Sequence, residues 1–267
     1  MKRTAFVFAI LALLISCSDA DTDENGNVDQ PVNAIPNINY TIQGSYPHDT
    51  SFFTQGLTFY DGRLLEGTGS PNQNPSRLME VDLKTGKALK EVVLDKKYFG
   101  EGIAVLNDTI YQLTWRENVV FVYDAKTFKK IKEFPIATEG WGITTDGKQL
   151  IVSDGTNNLY FYEPSSFKLI QKIGVTENGS PAPNINELEF INGYVYANQW
   201  QYPFIFKIDI ATGNIVGKMD LTEVVQRVKA KEPKADFLNG IAYDSTTKKI
   251  FVTGKLWPEM YEIQFAL

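Results

Sequence analysis

Histidine and cysteine are almost missing from this chain: its 267 residues contain one of each, His48 and Cys17. A metal site built from several histidines is therefore impossible, and a Ser-His-Asp triad would have to use His48. Cys17 lies in an N-terminal segment that export would remove or lipidate, so the mature fold is expected to lack both a disulfide and a cysteine nucleophile. Positive charge is short too. The formal net charge is −6 and no basic stripe occurs, which argues against a nucleic-acid partner. No apolar run is long enough for a spanning helix. The run from Ala5 to Ile15 has the length of a signal-peptide core.

That run follows Lys2 and Arg3 and leads into Leu14-Ile15-Ser16-Cys17, which reads as a lipobox. Residues 1–17 are expected to be a lipoprotein signal peptide, with Cys17 as the lipidated residue. Ordinary cleavage near Ala20 is the alternative, and both routes lead out of the cytoplasm. Residues 18–37 carry Asp19, Asp21, Asp23, Glu24 and Asp29 with few apolar residues, and read as a disordered tether. The expected address is the cell envelope, lipid-anchored in the periplasm or on the outer-membrane surface, as a monomer.

What is abundant is aromatic side chains, 13% of the chain, which favours strands. Residues 38–267 are repetitive. One pattern starts at Gln55-Gly56-Leu57, Glu101-Gly102-Ile103, Trp141-Gly142-Ile143, Asn186-Glu187-Leu188 and Asn239-Gly240-Ile241, with spacings of 46, 40, 45 and 53 residues. That is the period of a four-stranded propeller blade. Turn pairs fall where hairpins need them: Asp61-Gly62, Asn107-Asp108, Asp146-Gly147 and Asn192-Gly193. The fifth unit supplies three strands and then stops. The segment Asn39–Ser45 can supply the fourth and close the ring. The prediction is an all-β, five-bladed β-propeller closed by an N-terminal strand. A short amphipathic helix at Leu221–Lys231, with Val224, Val225 and Val228 on one face, interrupts the pattern and could act as a lid.

Inner-strand starts converge on one mouth of a propeller. This places Gln55, Glu101, Trp141, Asn186 and Asn239 around one opening. The residues after the second strands should rim the same face: Glu66, Trp115, Asp154, Trp200 and Lys255. Each alone reads best as a cap or core residue. Together they describe an apolar pocket with a few convergent polar groups. His48 reads as a hydrogen-bonded loop histidine. Glu187 and Glu189 share a strand face roughly 7 Å apart along it, and Glu189 reads as facing the channel lower down or pairing locally, not as half of a glycosidase pair. Asp154–Asn158 reads as a turn, not a calcium loop.

The successive motifs Phe53-Thr54-Gln55-Gly56-Leu57, Phe99-Gly100-Glu101-Gly102, Leu113-Thr114-Trp115, Glu139-Gly140-Trp141-Gly142, Ile185-Asn186-Glu187-Leu188-Glu189, Ala197-Asn198-Gln199-Trp200, Leu238-Asn239-Gly240-Ile241-Ala242 and Thr253-Gly254-Lys255 resemble those of the plant and bacterial glutaminyl cyclases. The resemblance spans about Tyr46 to Phe265. It implies conversion of N-terminal glutamine to pyroglutamate with release of ammonia, on peptide or protein substrates and without a cofactor. The zinc-dependent animal type, with its histidine ligands, does not fit this composition. By resemblance, Glu101 is the essential acid, and Lys255 and Asn186 are the other polar catalytic groups. Trp115, Trp141 and Trp200 match the aromatic cage, and Phe53 and Gln55 match further pocket positions; Asn239 is expected among the substrate-binding residues from its place at the fifth repeat start.

The chemistry agrees with these residue types. A single carboxylate can take a proton from the attacking amine and return it to the leaving nitrogen. A cation and an amide can stabilise the oxyanion, and an aromatic enclosure can hold the folded side chain near attack. The competing reading is a non-enzymatic, lipid-anchored propeller that binds a peptide or glycan. A pure binding surface has no need of a buried acid.

Overall fold

The computed structural model describes residues 34–70 and 74–267. The expected signal peptide, Cys17 and nearly all of the expected tether lie outside the described residues. The unit from Ala34 to Leu267 is built from repeated four-stranded antiparallel sheets.

Strand β1 (Thr41–Pro47) precedes the repeats. Blade 1 runs β2 (Thr54–Tyr60), β3 (Arg63–Thr68), β4 (Arg77–Asp82) and β5 (Lys87–Val93). Blade 2 runs β6 (Gly100–Leu106), β7 (Thr109–Thr114), β8 (Val119–Asp124) and β9 (Lys130–Pro135). Blade 3 runs β10 (Ile143–Thr145), β11 (Leu150–Ser153), β12 (Asn158–Glu163) and β13 (Lys168–Gly174). A small hairpin, β14 (Thr176–Glu177) and β15 (Ser180–Pro181), links it to blade 4. Blade 4 runs β16 (Ile185–Ile191), β17 (Tyr194–Gln199), β18 (Phe204–Asp209) and β19 (Ile215–Asp220). Helix α1 (Thr222–Lys231) follows, then β20 (Leu238–Asp244), β21 (Lys249–Gly254) and β22 (Glu259–Gln264). β1 pairs with β22 and completes blade 5, as the sequence predicts.

Local chemistry explains the hairpins. Asp61 and Gly62 take φ of 51° and 72°, Asn107 and Asp108 take 50° and 58°, and Asn192 and Gly193 take 50° and 91°. Only Gly, Asn and Asp reach that region at low cost, and the two-residue turns it forms match strand twist. At the outer hairpins, an acid ending the third strand caps the turn. Asp82 accepts from the Thr85 backbone and hydroxyl at 2.8 and 2.9 Å, and Asp124 accepts from Thr127 at 2.7 and 2.6 Å.

Five apolar clusters fill the five gaps between blades. Leu65, Leu78, Ile103 and Phe121 join blades 1 and 2. Leu113, Val122, Ile143 and Val152 join blades 2 and 3. Phe161, Leu159, Leu188 and Phe206 join blades 3 and 4. Tyr196, Ile205, Ile241 and Val252 join blades 4 and 5, and Leu57, Met79, Ala242 and Phe251 close the ring. Truncating a buried Phe such as Phe206 would cost roughly 3–5 kcal/mol, because such packing relaxes only partly.

At the ring's centre the inner strands touch. A Cβ on Gly56 would lie 2.4 Å from the Ile103 nitrogen, and one on Gly142 would lie 2.0 Å from the Asn186 oxygen. The second residue of the repeat start is therefore glycine in blades 1, 2 and 3, and in blade 5 Gly240 is set by its φ of 125° instead. Blade 4 has Glu187 instead. Its carboxylate reaches across to the backbone N–H groups of Leu57 and Ile241, at 3.2 and 2.9 Å.

Two expectations change. Residues 35–37, assigned to the tether, dock on blade 4: Ile35 packs on its core, and Lys218 N–H donates to Pro36 O at 3.0 Å. Helix α1 is not a lid. Val224 and Val228 are buried in the cluster between blades 4 and 5, so the apolar face seen in the sequence is a core face.

Candidate active site

The inner strands start with a defect. The β2–β3 register slips between Thr54 and Gly56, β6–β7 between Gly100 and Ile103, β16–β17 between Ile185 and Leu188, and β20–β21 between Leu238 and Ile241. Bulges break the alternation of a strand and re-aim a side chain. The residues inside these four irregularities include Gln55, Glu101, Asn186 and Asn239. Trp115, Trp200 and Lys255 come from the other side, one residue beyond β7, β17 and β21.

All of these except Asn239 line one cavity of about 250 Å³. Gln55, Glu101, Asn186 and Lys255 supply its polar lining, and Phe53, Trp115, Trp141 and Trp200 supply its aromatic walls. Eight of the nine pocket residues singled out in the sequence thus come together. The cavity also contains Phe99, Asp236 and Phe237, which sequence reasoning missed. Phe99 was visible as the first residue of its motif. Phe237 was hidden because it follows the helix, outside any repeat position.

The aromatic rings touch edge to face around the cavity. Phe53–Phe99 centroids are 6.3 Å apart, Phe99–Trp115 5.7 Å, Trp141–Trp200 5.3 Å and Trp200–Phe237 6.2 Å. Gly155, at φ 79°, seats one of them: a Cβ there would lie 2.5 Å from the Trp141 ring.

Glu101 is 5% exposed and receives one side-chain hydrogen bond, from Gln55 Nε2 at 2.8 Å. Burial pushes its carboxyl well above the usual carboxylate range. Lys255 opposes that shift, while Glu117 and Glu139 reinforce it. Lys255 is buried with its Nζ 4.7 Å from the Phe53 ring centroid. Burial pulls its ammonium below the usual lysine value, against the attraction of Glu101 and Asp236. The pair is thus a carboxylate that holds a proton readily and an ammonium that releases one readily. The Asn186 side-chain oxygen is buried and has no partner, so it presents a free acceptor.

Three expected rim residues lie elsewhere. Asn239 stands behind Gln55, donating to Gln55 Oε1 at 3.3 Å and to Thr54 O at 3.0 Å. It orients a pocket residue and does not line the pocket. Glu66 is three residues too early: the position after β3, equivalent to Trp115, is Gly69, where a Cβ would strike Phe99 and Phe53. Glu66 instead receives Thr54 Oγ1 at 2.7 Å and faces His48 Nε2 at 3.1 Å. Asp154 turns away to accept from Thr156 and from the Tyr160 hydroxyl at 2.8 Å.

The model of the glutamine cyclotransferase family matches residues 9–265. The chain belongs to the glutamine cyclotransferase family. It is 40% identical over 226 residues to a glutaminyl-peptide cyclotransferase of Arabidopsis thaliana, covering 84% of this chain and 70% of that one. Among solved structures, it is similar to the glutaminyl cyclase of Myxococcus xanthus, with a TM-score of 0.79 and 36% identity over 85% of this chain and 96% of the other. The propeller of this cyclotransferase is thus shared with a solved relative.

Proposed function

We propose that this chain is a glutaminyl-peptide cyclotransferase that closes an N-terminal glutamine into pyroglutamate and releases ammonia. The observation that carries the reading is Glu101: an acid buried and held by Gln55 at 2.8 Å, facing an aromatic cavity that also holds Lys255. Family membership supports it.

The glutamine side chain folds back inside the aromatic walls, so its amine lies against its own γ-carboxamide carbon. The amine attacks that carbon, forming the ring C–N bond and pushing the carbonyl π pair onto oxygen. Glu101 takes a proton from the attacking nitrogen and gives it to the amide nitrogen. The oxyanion's electron pair then re-forms C=O, the amide C–N bond breaks, and ammonia leaves. Lys255 is the donor to the oxyanion, since a cation beside a developing negative charge is worth most in a dry cavity. Asn186, with its free oxygen, accepts from a substrate N–H. The raised proton affinity of Glu101 suits a group that must both accept and return a proton near neutral pH.

The test is ammonia release from a Gln-initiated dipeptide by wild type and by Glu101→Gln. Release by the first and loss in the second, with both folded, supports the reading. A folded wild type that releases none leaves a propeller that only binds.

The address belongs to the same proposal. Cys17 anchors the chain to an envelope membrane, supported by the lipobox and the apolar run before it. In cells, Cys17→Ala should move the protein from the membrane fraction to the soluble fraction.

A further inference from the structure

One carboxylate outside the cavity grips two of its walls. The Glu139 side chain accepts from Trp115 Nε1 at 2.9 Å and from Trp141 Nε1 at 3.0 Å, both on the same oxygen, Oε2. Its other oxygen accepts from Arg116 Nε at 2.8 Å, and the Arg116 guanidinium lies 3.9 Å from the Trp115 ring centroid. The two indoles belong to different places in the ring. Trp115 follows the second strand of blade 2, and Trp141 precedes the first strand of blade 3.

The backbone brings Glu139 there. Gly140 N–H donates to the carbonyls of Thr114 and Trp115, at 3.2 and 3.1 Å. A Cβ on Gly140 would lie 2.6 Å from the Thr114 oxygen, so only glycine lets the chain pass this close. Partial burial opposes ionisation of Glu139, but hydrogen bonds from Trp141, Arg116 and Trp115 outweigh it and hold its carboxyl below the usual carboxylate range. Glu139 is therefore a fixed negative charge at neutral pH.

An indole wall is only as well placed as its N–H is anchored. A flat ring in an aromatic belt can slide or tip at little cost. A shared acceptor removes that freedom for both rings at once. We infer that Glu139 is a positioning residue of the cyclotransferase site, which locks Trp115 and Trp141 into one rigid wall against which the substrate side chain folds. It touches no reacting atom. Its second effect is through space. Glu101 sits among Lys255, Glu117, Glu139 and the neutral Gln55, and the charges of Glu117 and Glu139 both favour its protonated form.

The inference rests on the cyclase reading, and its test separates the two. Steady-state kinetics on a Gln-initiated dipeptide are compared for the full-length wild type, Glu139→Ala and Glu139→Gln, with acrylamide quenching of tryptophan fluorescence measured alongside. Glu139→Ala should raise KM about tenfold, the scale of one to two ordinary hydrogen bonds, and make the indoles more quenchable. Glu139→Gln keeps an oxygen that can accept both indoles, so it should recover most of the KM and the quenching. It lacks the charge, so the acid limb of its kcat/KM profile should lie at lower pH than in wild type. In a Trp115→Phe, Trp141→Phe background, where neither ring has an N–H, Glu139→Ala should raise KM no further. The inference is overturned by unchanged KM and quenching in Glu139→Ala, by Glu139→Gln behaving like Glu139→Ala, or by a full effect in the double-Phe background. If wild type released no ammonia, the cyclase reading would fall, and quenching would still decide whether Glu139 holds the rings.

Discussion

Glu101 and Glu187 occupy adjacent steps of the repeat pattern, in blade 2 and blade 4, and both are buried carboxylates whose proton affinity burial raises. Their surroundings differ. Both oxygens of Glu187 are taken by backbone N–H groups, of Leu57 in blade 1 across the ring and of Ile241 in blade 5 beside it, at 3.2 and 2.9 Å. Glu101 has one side-chain partner and opens on a cavity. Glu66 is a second saturated case, shared between Thr54 and His48. A perturbed, buried acid is thus not by itself a catalyst. The difference is spare hydrogen-bonding capacity facing space that a substrate can enter.

The largest effects should separate the two classes outright. Glu101→Gln is expected to lower kcat by roughly 10²–10⁴-fold, the usual range for a lost general acid-base, with little change in melting temperature. His48→Ala should do the reverse. It leaves Glu66 without its buried partner, a loss of roughly 3–5 kcal/mol, while the folded fraction keeps its turnover. Denaturant melts and active-fraction assays on both variants would read this.

Glu187→Gln sharpens the comparison at smaller scale. One of its two backbone donors would face an NH₂ group, costing about 1–3 kcal/mol and again sparing turnover. A loss of turnover without loss of stability in this variant would break the distinction between channel acid and pocket acid.

The pH dependence has a definite sign. Burial raises Glu189 from 4.5 to about 8. Its folded-state pKa lies above its unfolded value, so its contribution to stability is full below pH 4.5 and is lost as pH rises through about 8. His48 behaves alike. Burial opposes its charge, but Glu66, the Trp257 carbonyl and Asp49 together outweigh burial and hold the imidazole above 6.5, so its ion pair also weakens as pH rises. Stability measured from pH 5 to 9 should fall, and Glu189→Gln should flatten part of the fall. The smallest expected effect is Asn239→Ala, which frees Gln55 to turn. A severalfold drop in kcat/KM is expected, since one modest hydrogen bond at 3.3 Å holds that amide.

The blade count, the closing strand and eight of the nine pocket residues were legible in the sequence. The repeat is a local signal, written in turn pairs and in glycines that inner strands need where they meet. What misled was register and direction. Glu66 was placed at the end of β3, where Gly69 stands to make room for Phe99 and Phe53. Asn239 had the right repeat position but turns behind Gln55. Helix α1 showed an apolar face, and nothing in its own residues said whether that face met a cavity or a core.

The chain's own pattern therefore determined the architecture, because alternation, turn chemistry and a repeat near 45 residues act within each blade. The exclusion of a metal site built from several histidines was also determined there, since the chain has one histidine and folding cannot supply more. Only the tertiary structure decided which buried acid has room to react. It also decided that Glu139 joins two tryptophans from different blades. The first depends on hydrogen bonds that cross the ring, and the second on the docking of blade 3 against blade 2. No local pattern encodes either meeting; each exists only once blades have packed together.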